Sequence, residues 1–255
     1  MPTYTDFRSA ARDALTRIAA PARRFTVPSW ALLLCAAMCT AAGRTAGAQP
    51  APSAEPRSYA ALWQAAMVAV DAGEFERNEA KRKALYASAT DYAKQAIALN
   101  PGDAEGHFHL SRALGRTALA LGPRERVTYG IAVREHALEA LRLAPRHPGA
   151  LHVMGVWHTQ VMRLNGLSRT VAKAFLGGQV FGSASWTEAV RYLEQAVQIE
   201  PSRLVHRLDL ARVYRDVGRT ADAKAAYRAA IACPTTDVND ATYRAQAEAE
   251  LRALR

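Results

Sequence analysis

Seven histidines are the residues of this 255-residue chain best suited to bind a metal ion or to transfer protons. On a helix, His107 and His109 would point about 200° apart, which is poor geometry for chelation. His152 and His158 are six positions apart and would also lie on different faces. The sequence contains no HExxH motif. We therefore expect no metal site, and we interpret the histidines as surface or interface residues.

Motifs of hydrolases and of nucleotide-binding enzymes are also absent from the sequence. It has no G-x-S-x-G and no glycine-rich phosphate loop. Ser185 and Glu188 form the pattern S-x-x-E, which predicts a helix-capping box rather than a nucleophile. Cys233 precedes a proline near a helix end, where a reactive or dimer-forming thiol is one interpretation and a half-buried, inert thiol is the favoured one. We expect no catalytic residues, no cofactor and no enzymatic activity.

Two pairs of arginines have the spacing of a binding surface. Arg112 and Arg116 are four positions apart, and Arg212 and Arg215 are three apart, so each pair shares one helix face. Guanidinium groups bind carboxylates and phosphates through two parallel hydrogen bonds. The pairs predict a surface for an acidic or C-terminal-carboxylate segment of a partner. The arginine-rich sequence favours the alternative, pairing within the chain to one of three acidic residues: Asp209, Glu105 or Glu135.

The first part of the chain has the composition of an export signal followed by a linker. Five arginines precede an apolar run at 30–42, which is shorter than the about 20 residues that cross a bilayer as a helix. Ala46 and Ala48 then match a signal-peptidase site, so residues 1–48 are predicted to be a signal peptide. Residues 49–56 are rich in proline and alanine, typical of a flexible linker. We expect a periplasmic or secreted protein; the alternative is an uncleaved signal that anchors it in the inner membrane.

Charge and cysteine content limit the kinds of protein that residues 49–255 could form. Cleavage would remove six of 33 basic and two of 23 acidic residues, which lowers the net charge from +10 to +6. The sequence has no lysine-rich tract and no glycine-aromatic segment, so we expect no nucleic-acid partner. Only Cys233 would remain, so no internal disulfide can form. Alanine dominates the composition, which favours closely packed helices that must supply the stability.

Four segments end in the same way, with an apolar helical stripe stopped by a proline. The spacings between these prolines are 44, 56 and 33 residues. A small residue followed seven positions later by a glycine recurs in the first half of most units, where it predicts a close helix contact and then a turn. The sequence therefore predicts four units and a final helix: 57–101, 102–145, 146–201, 202–234, and a capping helix at 237–255.

The fourth unit has the residue offsets of a tetratricopeptide repeat. These are Leu210, Ala211, Tyr214, Gly218, Ala223, Tyr227 and Ala230. The resemblance implies helical hairpins that stack into a right-handed superhelix. We therefore expect residues 57–255 to form an all-α, tetratricopeptide-like solenoid of about four irregular hairpins plus a C-terminal capping helix. Asp237 or Asp240 is expected to cap that helix, and the third unit is expected to carry an insertion at 167–181.

A narrower resemblance covers most of the chain from its linker onward. The residues that carry it are HVMGVW at 152–157, AFLG at 174–177, SWTEA at 185–189, Leu62-Trp63, and YAKQA at 92–96. With these residues, the segment from Pro145 to Leu254 resembles the C-terminal part of the regulator of microtubule dynamics family. This resemblance implies tetratricopeptide-like helices, no catalytic residues and, in eukaryotes, association with microtubules. The export signal argues against a microtubule partner.

In such arrays the first helix of each hairpin lines the concave surface. We expect the chain to be a scaffold that binds a protein or peptide there. The alternative is a carrier of a small or lipidic ligand, held beside the insertion by Phe175, Leu176, Val180 and Phe181; a scaffold predicts an open groove and a carrier a closed apolar pocket. The expected groove residues are Trp63, His109, Arg112, Arg116, His152, Gln160, Asp209, Arg212 and Arg215, with Met67, Asp71, Val156 and Leu208 between them.

Overall fold

The alanine-rich sequence forms helices in every part of the chain that the structure describes. The computed structural model describes residues 58–121, 123–164 and 178–254. Ten helices and no strand occur in those ranges: α1 (Tyr59–Gly73), α2 (Glu79–Leu99), α3 (Ala104–Leu119), α4 (Pro123–Leu143), α5 (Pro148–Arg163), α6 (Gly178–Gly182), α7 (Trp186–Ile199), α8 (Leu204–Asp216), α9 (Thr220–Ile231) and α10 (Asp240–Ala253).

The helices pack as four hairpins followed by one further helix. α1 packs with α2, α3 with α4, α5 with α7, and α8 with α9, while α10 packs against α8 and α9. The predicted all-α repeat fold with a capping helix is therefore confirmed. Of the predicted insertion at 167–181, only α6 falls within the described residues, and Phe175 and Leu176 lie outside them. No helix in the described ranges has the length and hydropathy needed to cross a membrane.

Polar caps and prolines set the ends of these helices. The side chains of Ser58 and Asn78 accept hydrogen bonds from backbone N–H groups in the first turns of α1 and α2, at 3.2 and 3.0 Å. Three helices stop two residues before a proline: α2, α4 and α7. Proline cannot donate the next backbone hydrogen bond, so these ends follow from the local sequence.

The expected cap of α10 is wrong in its details. The helix begins at Asp240, and its N-cap residue Asn239 makes no side-chain capping bond. Asp240 turns back and accepts hydrogen bonds from the backbone N–H groups of Thr236 and Asp237, at 2.7 and 2.9 Å. Asp237 in turn pairs with Arg203 at 2.5 Å. Both carboxylates therefore stabilise the loop before the helix instead of its first turn.

Alanine and a few larger apolar side chains form the contacts between hairpins. One core cluster joins the helices α7, α8, α9 and α10 around the fully buried Leu193, Leu204 and Tyr227. Another joins α3, α4, α5 and α6 around Met154 and Trp157. Several alanines with no exposed surface lie where helices cross, so each hairpin buries its apolar face against its neighbours.

The two ends of the helical array touch each other. The Nδ2 of Asn239, just before α10, donates to the backbone carbonyl of Asp71 in α1 at 3.0 Å. The ring of Phe75 packs edge-on against Tyr243 with centroids 5.2 Å apart. The superhelix therefore curls until its last helix meets its first hairpin.

Candidate binding cavity

The first helices of the four hairpins surround a central cavity of about 570 Å³. Its apolar lining includes Trp63 and Met67 from α1 and Val153, Val156 and Trp157 from α5. A second hollow of about 330 Å³ continues the cavity towards the ends of the array, because several side chains line both spaces. The shared residues are Arg116, Leu119, Val156, Gln160, Arg163, Val205, Asp209 and Tyr243.

The structure brings the nine expected groove residues to this concave side. Arg212 and Arg215 line the smaller hollow, and the other seven line the central cavity, with Arg116, Gln160 and Asp209 in both. Leu208 does not face the cavity. It is fully buried in the core cluster that joins α7 to α10, because its position on α8 points towards the neighbouring hairpin.

The first arginine pair is bound by carboxylates from α1 and the residue after it. Arg112 forms an ion pair with Asp71, and Nε of Arg116 lies 2.7 Å from Oε2 of Glu74. Burial opposes the charge of Arg116, but the attraction of Glu74 outweighs it, so the pKa of the guanidinium is raised. Both arginines therefore tie α3 to the first hairpin.

The second arginine pair is bound mainly by α10. Arg212 lies 2.6 Å from Glu250 and 3.0 Å from Asp209, and Arg215 lies 3.1 Å from Glu250. The hydroxyl of Tyr227 donates to the same Glu250 carboxylate at 2.7 Å. Of the intrachain partners expected from the sequence, Asp209 is used and Glu105 and Glu135 are not. The other carboxylates that contact these arginines are Asp71, Glu74, Asp216 and Glu250.

Three histidines are buried instead of lying on the outer surface, and two of them, His109 and His206, line the cavity. His109, His158 and His206 are each at most 4% exposed. His109 stacks on Trp63, with centroids 5.5 Å apart and planes 7° apart. Its Nε2 and that of His147 lie 3.5 and 3.3 Å from the Glu105 carboxylate. These hydrogen bonds lower the pKa of Glu105 to about 2.

A second histidine cluster lies on the same cavity wall, between α5 and α8. The Nδ1 atoms of His152 and His206 are 3.0 Å apart. The Nε2 of His206 contacts Glu200 at 3.1 Å, and that of His152 contacts Asp209 at 3.3 Å. Burial lowers the pKa of His206 to about 4, although the hydrogen bond with Glu200 acts in the opposite direction.

Spacing rules miss this cluster because its histidines come from different hairpins, 54 residues apart. His206 precedes Asp209 by one helical turn, but it contacts Glu200, and Asp209 contacts His152 of another hairpin, since the contacts depend on how the hairpins stack. Within the described ranges, no group of three His, Cys, Asp or Glu side chains is placed to hold a metal ion. Cys233 is buried, and its thiol lies 3.3 Å from the carbonyl of Ala229.

Comparisons with solved structures agree with the helical repeat. A thermophilic TPR protein from Thermus thermophilus superimposes with a TM-score of 0.50 and 23% sequence identity. The match covers 76% of this chain and 83% of that protein. The likeness shows a tetratricopeptide-like fold.

Sequence comparisons identify the family. Regulator of microtubule dynamics protein 1 of Mus musculus is 24% identical over 142 residues, covering 55% of this chain and 46% of the mouse protein. Regulator of microtubule dynamics protein 3 of Rattus norvegicus is 23% identical over 188 residues, covering 73% of this chain and 40% of the rat protein. The chain thus spans less than half the length of each relative. The family model for regulator of microtubule dynamics proteins 1-3 matches residues 48–255, and the chain therefore belongs to that family.

Proposed function

We propose that the chain is a non-catalytic interaction scaffold that holds a segment of a partner protein on its concave side. The observation that supports this most strongly is the position of half-buried apolar side chains on the cavity wall. Trp63, Met67, Val153 and Val156 line the cavity without being part of the fully buried core. Tryptophan is among the residues that most often anchor a protein partner, and the apolar side chains around Trp63 help to exclude water from such a contact.

The charged residues of the cavity suggest how such a segment would be recognised. The guanidinium groups of the four groove arginines already pair with carboxylates of the chain. An acidic partner would have to displace these carboxylates, at the cost of leaving them unpaired. We therefore propose that apolar contacts carry most of the affinity, and that exchange of arginine partners at the rim adds a preference for an acidic segment.

Site-specific photo-cross-linking in the native host tests the proposal. A photoreactive residue at Gln160, on the cavity wall, is expected to capture a discrete partner, and the substitution Val156→Asp is expected to abolish that capture. The same probe at Leu99, an exposed residue of α2 that does not line the cavity, serves as the matched control. Capture that is equal at both positions, or that survives Val156→Asp, would contradict the proposal.

Charge reversal separates the two contributions to binding. Arg215→Glu is expected to weaken partner binding several-fold, because the arginine lies at the rim of the smaller hollow. Loss of all binding in Arg215→Glu, with Val156→Asp unchanged, would show that charge and not apolar contact carries the affinity. Arg142→Glu changes an exposed ion pair on α4 and controls for the net charge.

A second candidate function is a carrier of a small or lipidic ligand. The contact between α1 and the α10 region, which brings the two ends of the array together, favours it, and a volume of about 570 Å³ suits a small-molecule ligand. Of the side chains expected beside such a ligand, Phe181 lines the cavity and stacks on Trp157 with centroids 5.9 Å apart. Val180 is partly buried against the core cluster that contains Trp157 and Phe181.

Mass spectrometry of the protein purified from its host under native conditions tests the carrier. A carrier is expected to retain a bound small molecule, and Val156→Trp is expected to exclude it by filling the cavity. Leu99→Trp adds the same side chain outside the cavity and should leave the ligand in place. A protein that contains no bound molecule would rule out the carrier and leave the scaffold unaffected.

We also propose that the chain is exported, which would place its partner in the cell envelope or outside the cell. The support is the basic and apolar composition of residues 1–48 and the small residues that end it. An exported chain would not meet the microtubules to which the names of its relatives refer. N-terminal sequencing of the mature protein is expected to begin at Gln49, and any other start would contradict this cleavage site.

A further inference from the structure

Four side chains form one continuous chain of polar contacts on the cavity wall. Glu200 contacts His206, His206 contacts His152, and His152 contacts Asp209, at 3.1, 3.0 and 3.3 Å. In each imidazole, Nε2 faces a carboxylate and Nδ1 faces the other imidazole. The two rings are therefore joined through the same type of atom, with a carboxylate behind each of them.

The carboxylates determine which nitrogen of each ring carries hydrogen. A neutral imidazole has one N–H, and an ionised carboxylate can only accept, so it keeps that hydrogen on Nε2. Nδ1 is then a lone pair in both His152 and His206. Two lone pairs that face each other at 3.0 Å repel, and a cation between them removes the repulsion.

Another histidine pair in the same molecule shows the ordinary arrangement. The Nδ1 atoms of His107 and His136 are 3.1 Å apart and the ring centroids 5.3 Å apart, so these rings meet almost head-on, as a hydrogen bond requires. Among the contacts of the described residues, no carboxylate is hydrogen-bonded to the far nitrogen of either ring. One ring is thus free to carry its hydrogen on Nδ1 and to donate it.

The rings of His152 and His206 are arranged differently. Their nitrogens have nearly the same separation, 3.0 Å, but their centroids are only 4.7 Å apart. The rings are therefore bent out of the head-on arrangement, so the two Nδ1 atoms do not point straight at each other as those of His107 and His136 do.

We infer that His152 and His206 form the protein part of a binding site for a divalent transition-metal ion, with water in the remaining positions. An ion about 2.0–2.1 Å from each Nδ1 would make an N–metal–N angle of roughly 95° at the observed separation. This angle suits adjacent positions of square-planar or octahedral geometry, which Cu²⁺ and Ni²⁺ prefer, better than the tetrahedral geometry of Zn²⁺.

The surroundings of the two imidazoles fit this role. A carboxylate on the far nitrogen of a ligating histidine fixes its tautomer and increases its basicity, and Glu200 and Asp209 occupy those positions. Their two negative charges match the charge of a divalent ion, and the other oxygen of Asp209 accepts from Arg212. All four side chains of the polar chain line the central cavity, from which water can complete the coordination.

Titration of the full chain, without an affinity tag, with Cu²⁺, Ni²⁺, Zn²⁺ and Mg²⁺ at neutral pH tests the site. We expect one Cu²⁺ or Ni²⁺ per chain by calorimetry, weaker binding of Zn²⁺ and none of Mg²⁺. Electron paramagnetic resonance of the Cu²⁺ complex is expected to show coupling to two imidazole nitrogens. Absence of stoichiometric Cu²⁺ and Ni²⁺ binding would mean that only a proton lies between the rings, and would overturn the inference.

Substitutions locate the site and separate binding from folding. His206→Gln is expected to remove the two-nitrogen signal, and His136→Gln, which removes a ring of the head-on pair, is expected to leave it unchanged. Glu200→Gln changes a carboxylate that is 44% exposed and is expected to weaken binding about 10–100-fold with unchanged circular dichroism. Unchanged affinity in Glu200→Gln, or loss of the signal in His136→Gln, would refute the assignment.

Discussion

At the scale of single residues, close packing between α5 and α7 depends on Gly155. A Cβ atom at this position would lie 2.5 Å from Cγ of Leu193, which is fully buried, and 3.2 Å from the carbonyl oxygen of Ala189. The recurring small residue in the sequence predicts such a close approach. The same pattern predicts a close approach at Gly115, but a Cβ atom there would meet only Val133, at 3.9 Å, which is an ordinary contact distance.

We expect Gly155→Ala to destabilise the protein by about 1–3 kcal/mol, because the new methyl group must displace Leu193 in a filled core. Thermal unfolding followed by circular dichroism measures the change. Gly115→Ala is the matched control: it adds the same methyl group to a helix interior without a clash, and is expected to be neutral or to stabilise by about 0.5–1 kcal/mol. Equal losses of stability would contradict this account.

Burial of His158 makes stability depend on pH. Burial lowers the pKa of its imidazole to about 4, with the nearby Glu188 acting in the opposite direction. Between about pH 6.5 and 4 the unfolded chain therefore binds a proton that the folded chain does not, and the free energy of unfolding falls as the pH falls. The expected loss from this residue is about 2–3 kcal/mol.

The variant His158→Gln tests the assignment, since glutamine retains an acceptor for the backbone N–H of Ser185 but does not titrate. Urea unfolding between pH 7 and pH 4 is expected to show a smaller loss of stability in the variant than in the natural protein. Parallel pH profiles would show that His158 is not the group responsible.

The position of a side chain was predictable from the sequence where it depends on local helical periodicity. Contacts between side chains of different hairpins were not predictable. The shared faces of the arginine pairs follow from helical periodicity, and their position on the concave side follows from the repeat register. The contacts of His152 and His206 depend on the stacking of two hairpins, so no spacing within one helix indicates them. The carboxylates that bind Arg112 and Arg116 likewise come from the preceding hairpin.

At the scale of elements, the start of α7 shows a predicted motif that forms only in part. The hydroxyl of Ser185 accepts from the backbone N–H of Glu188 at 3.1 Å, as a capping box requires. The return bond is absent, because the Glu188 side chain binds Arg191 and the backbone N–H of Ser185 donates to His158 at 3.3 Å. A side chain from another helix has replaced the second half of the motif.

This arrangement predicts unequal effects of the two capping residues. Ser185→Ala is expected to cost about 1 kcal/mol, since it leaves an N–H group of the first turn without an acceptor. Glu188→Ala removes only a surface ion pair and is expected to cost less than about 0.5 kcal/mol. Chemical denaturation of both variants measures the difference. A larger loss of stability in Glu188→Ala than in Ser185→Ala would show that Glu188 does complete the capping box.

Element boundaries were predictable where proline decides them. The ends of α2, α4 and α7 follow from Pro101, Pro145 and Pro201. The start of α10 was not, because two nearby aspartates compete for backbone N–H groups and the geometry of the loop decides which ones they bind. Gly218, with φ of 78°, is a turn glycine as the repeat pattern predicts.

At the scale of the molecule, the sequence predicts a stack of hairpins but not the contact between its ends. Each hairpin buries its own apolar stripe against its neighbours, so the stack is encoded locally. Whether the ends meet depends on small rotations accumulated over four hairpins. The contacts that join Phe75 to Tyr243 and Asn239 to Asp71 therefore have no signature in the repeat pattern.

We expect Phe75→Ala to open this contact, because it removes the ring that packs on Tyr243. Hydrogen–deuterium exchange should then increase in α1 and at the start of α10, with little change in α4. Val68→Ala removes an exposed apolar side chain from α1 and is the matched control. An increase in exchange confined to α1 and the turn that contains Phe75 would mean that the ends of the array are not coupled.

The contact between α1 and the α10 region also changes how the array should unfold. In an open solenoid each repeat interacts only with its neighbours, so terminal repeats fray first and unfolding can begin at either end. Here the terminal helices stabilise each other, which makes the order of repeats cyclic in thermodynamic terms. Loss of a terminal hairpin then removes two interfaces instead of one, so we expect unfolding to be more cooperative than in an open array.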